Sequence, residues 1–196
     1  FFLTAFSETV RLCSNTKSGE FKLVRRAPDE LEKFNPDIFG IFKKKSEFNI
    51  KGMSDFYKDV DRTAWTKIIH GNSSEPNGIK DNSIDCIITS PPYGDSRTTV
   101  AYGQFCRLSS QWIDVFEDPD SATKVDNTLL GGKATKDLFH SLKSQHLKEV
   151  LEKISRVHEQ RELEVMSFNI DLEKCLKQDY KILKPKKYFC LVVVKR

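Results

Sequence analysis

The stretch Asp81 to Tyr93, Asp-Asn-Ser-Ile-Asp-Cys-Ile-Ile-Thr-Ser-Pro-Pro-Tyr, constrains this chain more than any other. Ile84 to Ile88 predicts a short buried strand. Cys86, Ile87 and Ile88 form the unbroken apolar run of a parallel sheet covered on both faces. The strand feeds directly into Ser90-Pro91-Pro92-Tyr93. Successive prolines fix their φ angles, remove their backbone donors and hold the preceding residue extended. The result is a rigid shelf at a strand's carboxyl end. It offers carbonyl acceptors from Pro91 and Pro92, a hydroxyl from Ser90 and an aromatic face from Tyr93. Ligands of open α/β sheets bind at such strand ends. The shelf suits a flat group with an exocyclic amine: Ser90 and a proline carbonyl accept the amine protons while Tyr93 stacks on the plane. A bare Pro-Pro-Tyr is explained as well by a loop breaker or a polyproline recognition segment. The apolar strand before it and Gly94 after it favour a site.

Thr89-Ser90-Pro91-Pro92-Tyr93-Gly94 resembles the catalytic motif of the amino-methylating DNA methyltransferases, which act on cytosine N4 or adenine N6. Ser at the first motif position resembles the N4-cytosine branch; the adenine enzymes more often carry Asp or Asn there. Gly94 to Phe105 and Tyr180 to Phe189 are similar to passages of bacterial modification methylases, and the similarity covers residues 65 to 196, with weaker similarity in the first thirty. The resemblance implies an α/β, Rossmann-like fold, with a mainly parallel sheet and helices on both faces, here incomplete. It implies S-adenosylmethionine as cofactor, double-stranded DNA as partner and a restriction-modification setting. Ser90, Pro91, Pro92 and Tyr93 are then the catalytic residues acting on a flipped base, with Asn72 and Thr89 on the cofactor side. Trp65 to Asn72 predicts a strand ending near the cofactor, with Asn72 at a position often acidic in these enzymes. A turn Asn after Gly71 explains that residue at least as well. Arg97, on the polar loop 95 to 99, either holds a DNA phosphate, stacks on a base, or caps the loop.

These enzymes hold their cofactor on a Phe-x-Gly-x-Gly loop after the first strand, and no such sequence occurs here. Phe39-Gly40 does not supply it, and Gly131-Gly132-Lys133 also lacks the rest of a phosphate-loop pattern. Either truncation removed the loop or a second polypeptide brings it; a cognate restriction endonuclease is a further candidate partner. The chain starts with Phe rather than Met, so we expect a piece of a longer protein. Two rival readings stay open. One is methyl transfer to adenine N6, RNA or a protein amide; the other is a non-catalytic DNA-binding or assembly half of a split or degraded methylase.

The rest of the chain divides into an N-terminal helical and extended segment, 1 to 64, expected to pack on the catalytic part, 65 to 196. Phe2, Phe6, Thr9 or Val10, and Cys13 share one helical stripe. Leu31, Phe34, Ile38 and Phe42 share another, interrupted by Pro36, with Lys43 to Lys45 near its end. From Leu138 a helical stripe runs through Leu142, Leu147, Val150, Leu151, Ile154 and Val157. A second helix, through Met166, Ile170 and Leu176, ends before Pro185, and a buried strand follows from Tyr188 to Val194. Strand, helical crossover and strand make a βαβ arrangement. A net charge of +4 permits a nucleic-acid partner without requiring one. No run is long enough to span a membrane. The five cysteines are scattered, which points to neither a disulfide framework nor a zinc site but to the cytoplasm. Cys86 and Cys190 are expected to be small core residues, and the histidines show no metal spacing.

Overall fold

The computed structural model describes residues 1–17, 20, 22–92, 102–115, 118, 120–132 and 142–193. Two expected site residues, Tyr93 and Arg97, lie outside the described residues, as do Leu138 and Val194. The chain divides into two compact units that interleave in sequence: Phe1–Lys67 with Ala101–Val125, and Ile68–Val100 with Asp126–Arg196.

The first unit is helical. α1 (Phe2–Cys13) packs against α3 (Ile38–Asp59) and α4 (Tyr102–Trp112). Its buried stripe is Ala5 and Thr9, not the expected Phe2, which is 58% exposed. Small residues on that stripe let the helix axes approach, and the Thr9 hydroxyl donates to the Ala5 carbonyl at 2.8 Å. Phe6 lies edge-on to Trp112 with ring centroids 6.3 Å apart. The Arg11 guanidinium lies 3.3 Å from the centre of the Phe105 ring and donates to the Phe105 carbonyl. Ser109 donates to the Ser7 carbonyl. Pro36 splits the second predicted stripe into α2 (Pro28–Lys33) and α3, because proline cannot supply the donor that a continuous helix needs. Asp37 then caps α3 by accepting from the Gly40 amide at 2.9 Å. The basic triplet Lys43 to Lys45 falls inside α3 rather than at its end, and Lys45 pairs with Glu8 of α1. The short α5 (Ser121–Lys124) completes the unit.

The second unit holds the sheet. β1 (Ile84–Thr89) pairs in parallel with β2 (Leu183–Leu191), in the register Cys86 to Tyr188, Ile87 to Phe189, Ile88 to Cys190 and Thr89 to Leu191. α6 (Gln145–Ser155) and α7 (Glu159–Ile182) precede β2. Ser144 caps α6 by accepting from the Leu147 amide, and the turn between the helices brings their apolar sides together. The core they form is Leu142, Leu151, Met166 and Ile170, with Leu147, Leu163 and Val165 packed around it. Val157, expected on the stripe, lies past the end of α6 and is 88% exposed.

α7 runs straight into β2. The amides of Asn82 and Ser83, just before β1, donate to the carbonyls of Lys181 and Ile182 at 3.0 and 2.9 Å. Two orphan carbonyls at the helix end are thereby satisfied by the entry to the strand. β2 starts at Leu183, ahead of the expected Tyr188, and so contains Pro185. Proline cannot donate to a ladder, and the register slips between Ile84 and Cys86, with Lys186 at φ +62°. Asp85 accepts from Lys184 and Lys187 across this irregularity, and those hydrogen bonds hold its carboxyl below the ordinary range.

Two expectations are corrected here. Trp65 to Asn72 is not a strand: Ile68 is 92% exposed, and no described strand pairs with this stretch. The sheet is parallel, as expected, but its strands are not covered on both faces. Ile88 and Tyr188 are each 74% exposed, and Cys86 and Cys190, which flank them on the same face, are exposed rather than core. Ile87 and Phe189, on the opposite face, are partly buried. The apolar run marks a surface that parallel sheets ordinarily cover, and the described residues of this chain leave one face of it bare. No described helix is long and apolar enough to cross a membrane.

Leu151 is fully buried between α6 and α7. Leu151→Ala is expected to lower stability by about 2–5 kcal/mol through lost transfer energy and the cavity left behind. Urea unfolding followed by circular dichroism checks this. Asp179, in the last turn of α7, has its carboxyl pKa raised by burial, and the helix C-terminus also disfavours its charge. A raised carboxyl pKa means that ionisation opposes folding above the folded pKa, and that the penalty fades as pH falls below the unfolded value. Asp179→Asn should therefore raise Tm at neutral pH, with the gain disappearing by about pH 3 in a thermal series.

Candidate functional site

Ser90, Pro91 and Pro92 stand where β1 ends. Thr89 is the last strand residue, and its carbonyl accepts from the Val192 amide at 2.9 Å. Its backbone is thus committed to the sheet, and the side chain of this exposed residue is its free contribution. The chain leaves the sheet at Ser90, which is exposed, while Pro91 and Pro92 are half-buried. Parallel pairing puts the carboxyl ends of β1 and β2 at the same end of the sheet, with Leu191 beside Thr89. The expected shelf therefore follows directly on the carboxyl end of a parallel pair.

Asn72 is placed differently. Its Oδ1 accepts from the Ser74 amide at 3.0 Å and the Ser74 hydroxyl at 2.8 Å, and its Nδ2 donates to Glu75 at 3.1 Å. This is a self-contained turn, the local bonding that Asn favours in loops. The turn lines a cleft of about 840 Å³ between residues 70–75 and 128–130, floored by Asp171 and Lys174 of α7. Thr89 to Pro92 are not among its walls. The structure thus keeps Thr89, Ser90, Pro91 and Pro92 together and puts Asn72 in a separate wall.

Both loops of the cleft are tied to one face of α7. Ser73 and Cys175 are in contact through Oγ and Sγ at 3.3 Å, and the Gly131 amide donates to Asp171 at 3.1 Å. Asp171 and Cys175 are four residues apart, hence neighbours on a helix face. Asp171 also pairs with Lys174 at 2.9 Å. No motif or spacing in the sequence marks Asp171, Lys174 or Ser73. Gly131-Gly132 lacks the rest of a phosphate-loop pattern, and its role is steric. Gly131 has φ +73°, and a Cβ there would lie 2.9 Å from the Phe168 amide nitrogen. A Cβ on Gly132 would lie 2.4 Å from the Asn127 carbonyl oxygen. Glycine is required so that this loop can lie against α7.

Comparison with known proteins bears on the family resemblance. Over its whole length the chain is 44% identical, across 207 aligned positions, to Type II methyltransferase M.MvaI of Kocuria varians. The chain spans 46% of that protein's length. No family profile matches the sequence, and no solved structure matches it. The similarity to a protein named as a methyltransferase agrees with the resemblance to DNA methyltransferases.

Gly131→Ala is expected to cost about 1–3 kcal/mol, because it combines a left-handed backbone with a clash against α7. Hydrogen exchange should show the Gly131 amide losing protection, while amides in the interior of α7 keep theirs.

Proposed function

We propose that this chain is the motif-bearing part, across residues 65 to 196, of a site-specific DNA methyltransferase. It moves a methyl group from S-adenosylmethionine to the exocyclic amine of a flipped base, cytosine N4, within a restriction-modification system. The observation that carries this reading is the Ser90-Pro91-Pro92 shelf, with Ser90 exposed and the prolines half-buried, at the carboxyl end of a parallel strand, in a chain similar throughout to a methyltransferase.

In this reading the base leaves the duplex stack at a cost of a few kcal/mol, offset by stacking and edge contacts. Tyr93 stacks on the base plane. Ser90 Oγ and the Pro91 carbonyl accept the amine hydrogens, which fixes the nitrogen and aims its lone pair away from the shelf. Pro92 holds the shelf rigid, so little reorganisation is needed. Arg97 contacts a DNA phosphate or stacks on a base. No covalent intermediate on the protein is required, and the cysteines take no chemical part.

S-adenosylmethionine, when bound, supplies the methyl group as a sulfonium. The residues present do not form its cradle by themselves. The polar groups of Asn72 are taken by Ser74 and Glu75, Asp171 is taken by Gly131 and Lys174, and no Phe-x-Gly-x-Gly sequence exists. Asn72 and Thr89 remain the cofactor-side candidates, with further contacts coming either from a loop lost by truncation or from a second polypeptide. That same mismatch favours a second reading, a non-catalytic DNA-binding or assembly half. Calorimetric titration with S-adenosylmethionine, with and without DNA, separates the two: DNA binding without cofactor binding supports the second. Product analysis separates cytosine N4 from adenine N6.

In the active assembly, Ser90→Ala should lower kcat at least tenfold, equivalent to about 1.4 kcal/mol of lost transition-state interaction. Tyr93→Ala should chiefly raise KM for DNA, by roughly tenfold, as stacking is lost. Steady-state methylation assays read both, and normal methylation by both variants would overturn the assignment.

A further inference from the structure

We propose that the outward face of α3, carrying Lys44, Phe48 and Lys51, is a contact surface for the phosphate backbone of double-stranded DNA. The proposal rests on DNA as the substrate, and it adds a surface on the helical unit, outside the motif-bearing part. Positions 44, 48 and 51 are spaced by four and three residues and share one helix face. The opposite side, Phe42, Ser46 and Asn49, is the buried or half-buried one. Lys44 and Lys51 are exposed, and Phe48 between them is 75% exposed.

The lysines of this helix differ in what they meet. Lys45 pairs with Glu8 of α1, Lys43 lies 3.9 Å from Glu47, and Lys58 pairs with Asp55 at 2.7 Å. Among the described residues no carboxylate pairs with Lys44 or Lys51, and Asp55, the acid on their own face, is taken by Lys58. Two uncompensated ammonium groups on one face attract an extended anion. A rise of 1.5 Å per residue puts them about 10.5 Å apart along the helix axis. A DNA strand advances about 3.4 Å per phosphate, so the pair matches about three steps of one strand. Phe48, midway, covers sugar carbons between the contacted phosphates. Phosphate contacts carry no sequence information, so this surface orients the duplex and leaves the choice of base to other residues.

The test titrates the full chain into a fluorescently labelled mixed-sequence duplex and follows anisotropy between about 50 and 200 mM salt. A backbone contact is independent of sequence, so no recognition site is needed. Each lost phosphate contact removes about 0.9 from the slope of log affinity against log salt. Lys44→Gln combined with Lys51→Gln is therefore expected to lower that slope by about 1.8 and to weaken binding at least tenfold at the lowest salt. Both positions are exposed, so the circular dichroism spectrum is expected to stay unchanged. Phe48→Ala is expected to weaken binding at least threefold with the slope unchanged. Lys177→Gln, on α7, removes a lysine already paired with Glu173 and is expected to change neither quantity. The proposal is overturned if the chain does not bind the duplex, or if the double variant keeps the original slope and affinity. It is also overturned if polyglutamate competes as well as unlabelled duplex does, which would make an acidic polypeptide an equal occupant. Duplex binding through Lys44 and Lys51 without methyl transfer would sink the functional reading and leave this surface standing. An unchanged slope with methyl transfer intact would do the reverse.

Discussion

Two adjacent parallel strands cannot be joined by a tight turn, so the pairing of Ile84–Thr89 with Leu183–Leu191 obliges the chain to make a long crossing. α6 and α7 return it to the start of β2, and their contact supplies the core of the second unit. The join is economical. α7 passes into β2 without a loop, and the residues entering β1 satisfy the carbonyls that the helix end leaves open. Parallel direction also decides the position of the motif, because it brings the carboxyl ends of both strands to one end of the sheet.

Burial is uneven across that unit. Leu151 and Met166 are sealed between two helices, while apolar residues of comparable size on the sheet stand in water. The contrast follows from what each face meets. A helix pair covers its own seam by folding back on itself, whereas a sheet depends on elements from elsewhere to cover it. In this chain Ile87 and Phe189 are partly buried while Ile88 and Tyr188 are not.

The same dependence runs through the site. The Ser90-Pro91-Pro92 shelf is made by three consecutive residues, so its local chemistry does not wait for distant partners. A cofactor pocket is different, because it converges from several strand ends. Here the polar groups nearest to being cofactor ligands are already engaged with one another, Asn72 with Ser74 and Glu75, and Asp171 with Lys174.

By itself the sequence determined what depends on neighbours along the chain. The strand at Ile84, the helices α6 and α7, the break at Pro36 and the motif at the strand end all follow from short-range periodicity, proline geometry and turn chemistry. Tertiary structure decided what depends on distant partners. An apolar run looks the same whether or not something lies over it, so the exposure of Ile88 and Tyr188 was invisible in the sequence. The stretch at Ile68 has strand composition, but a strand exists only where another offers its ladder, and none of the described strands does. Asn72 carries the same amide as a ligand or as a turn; the proximity of Ser74 and Glu75 made it a turn. Gly131 could be read only once Phe168 was beside it, because the reason for a glycine is the atom it avoids.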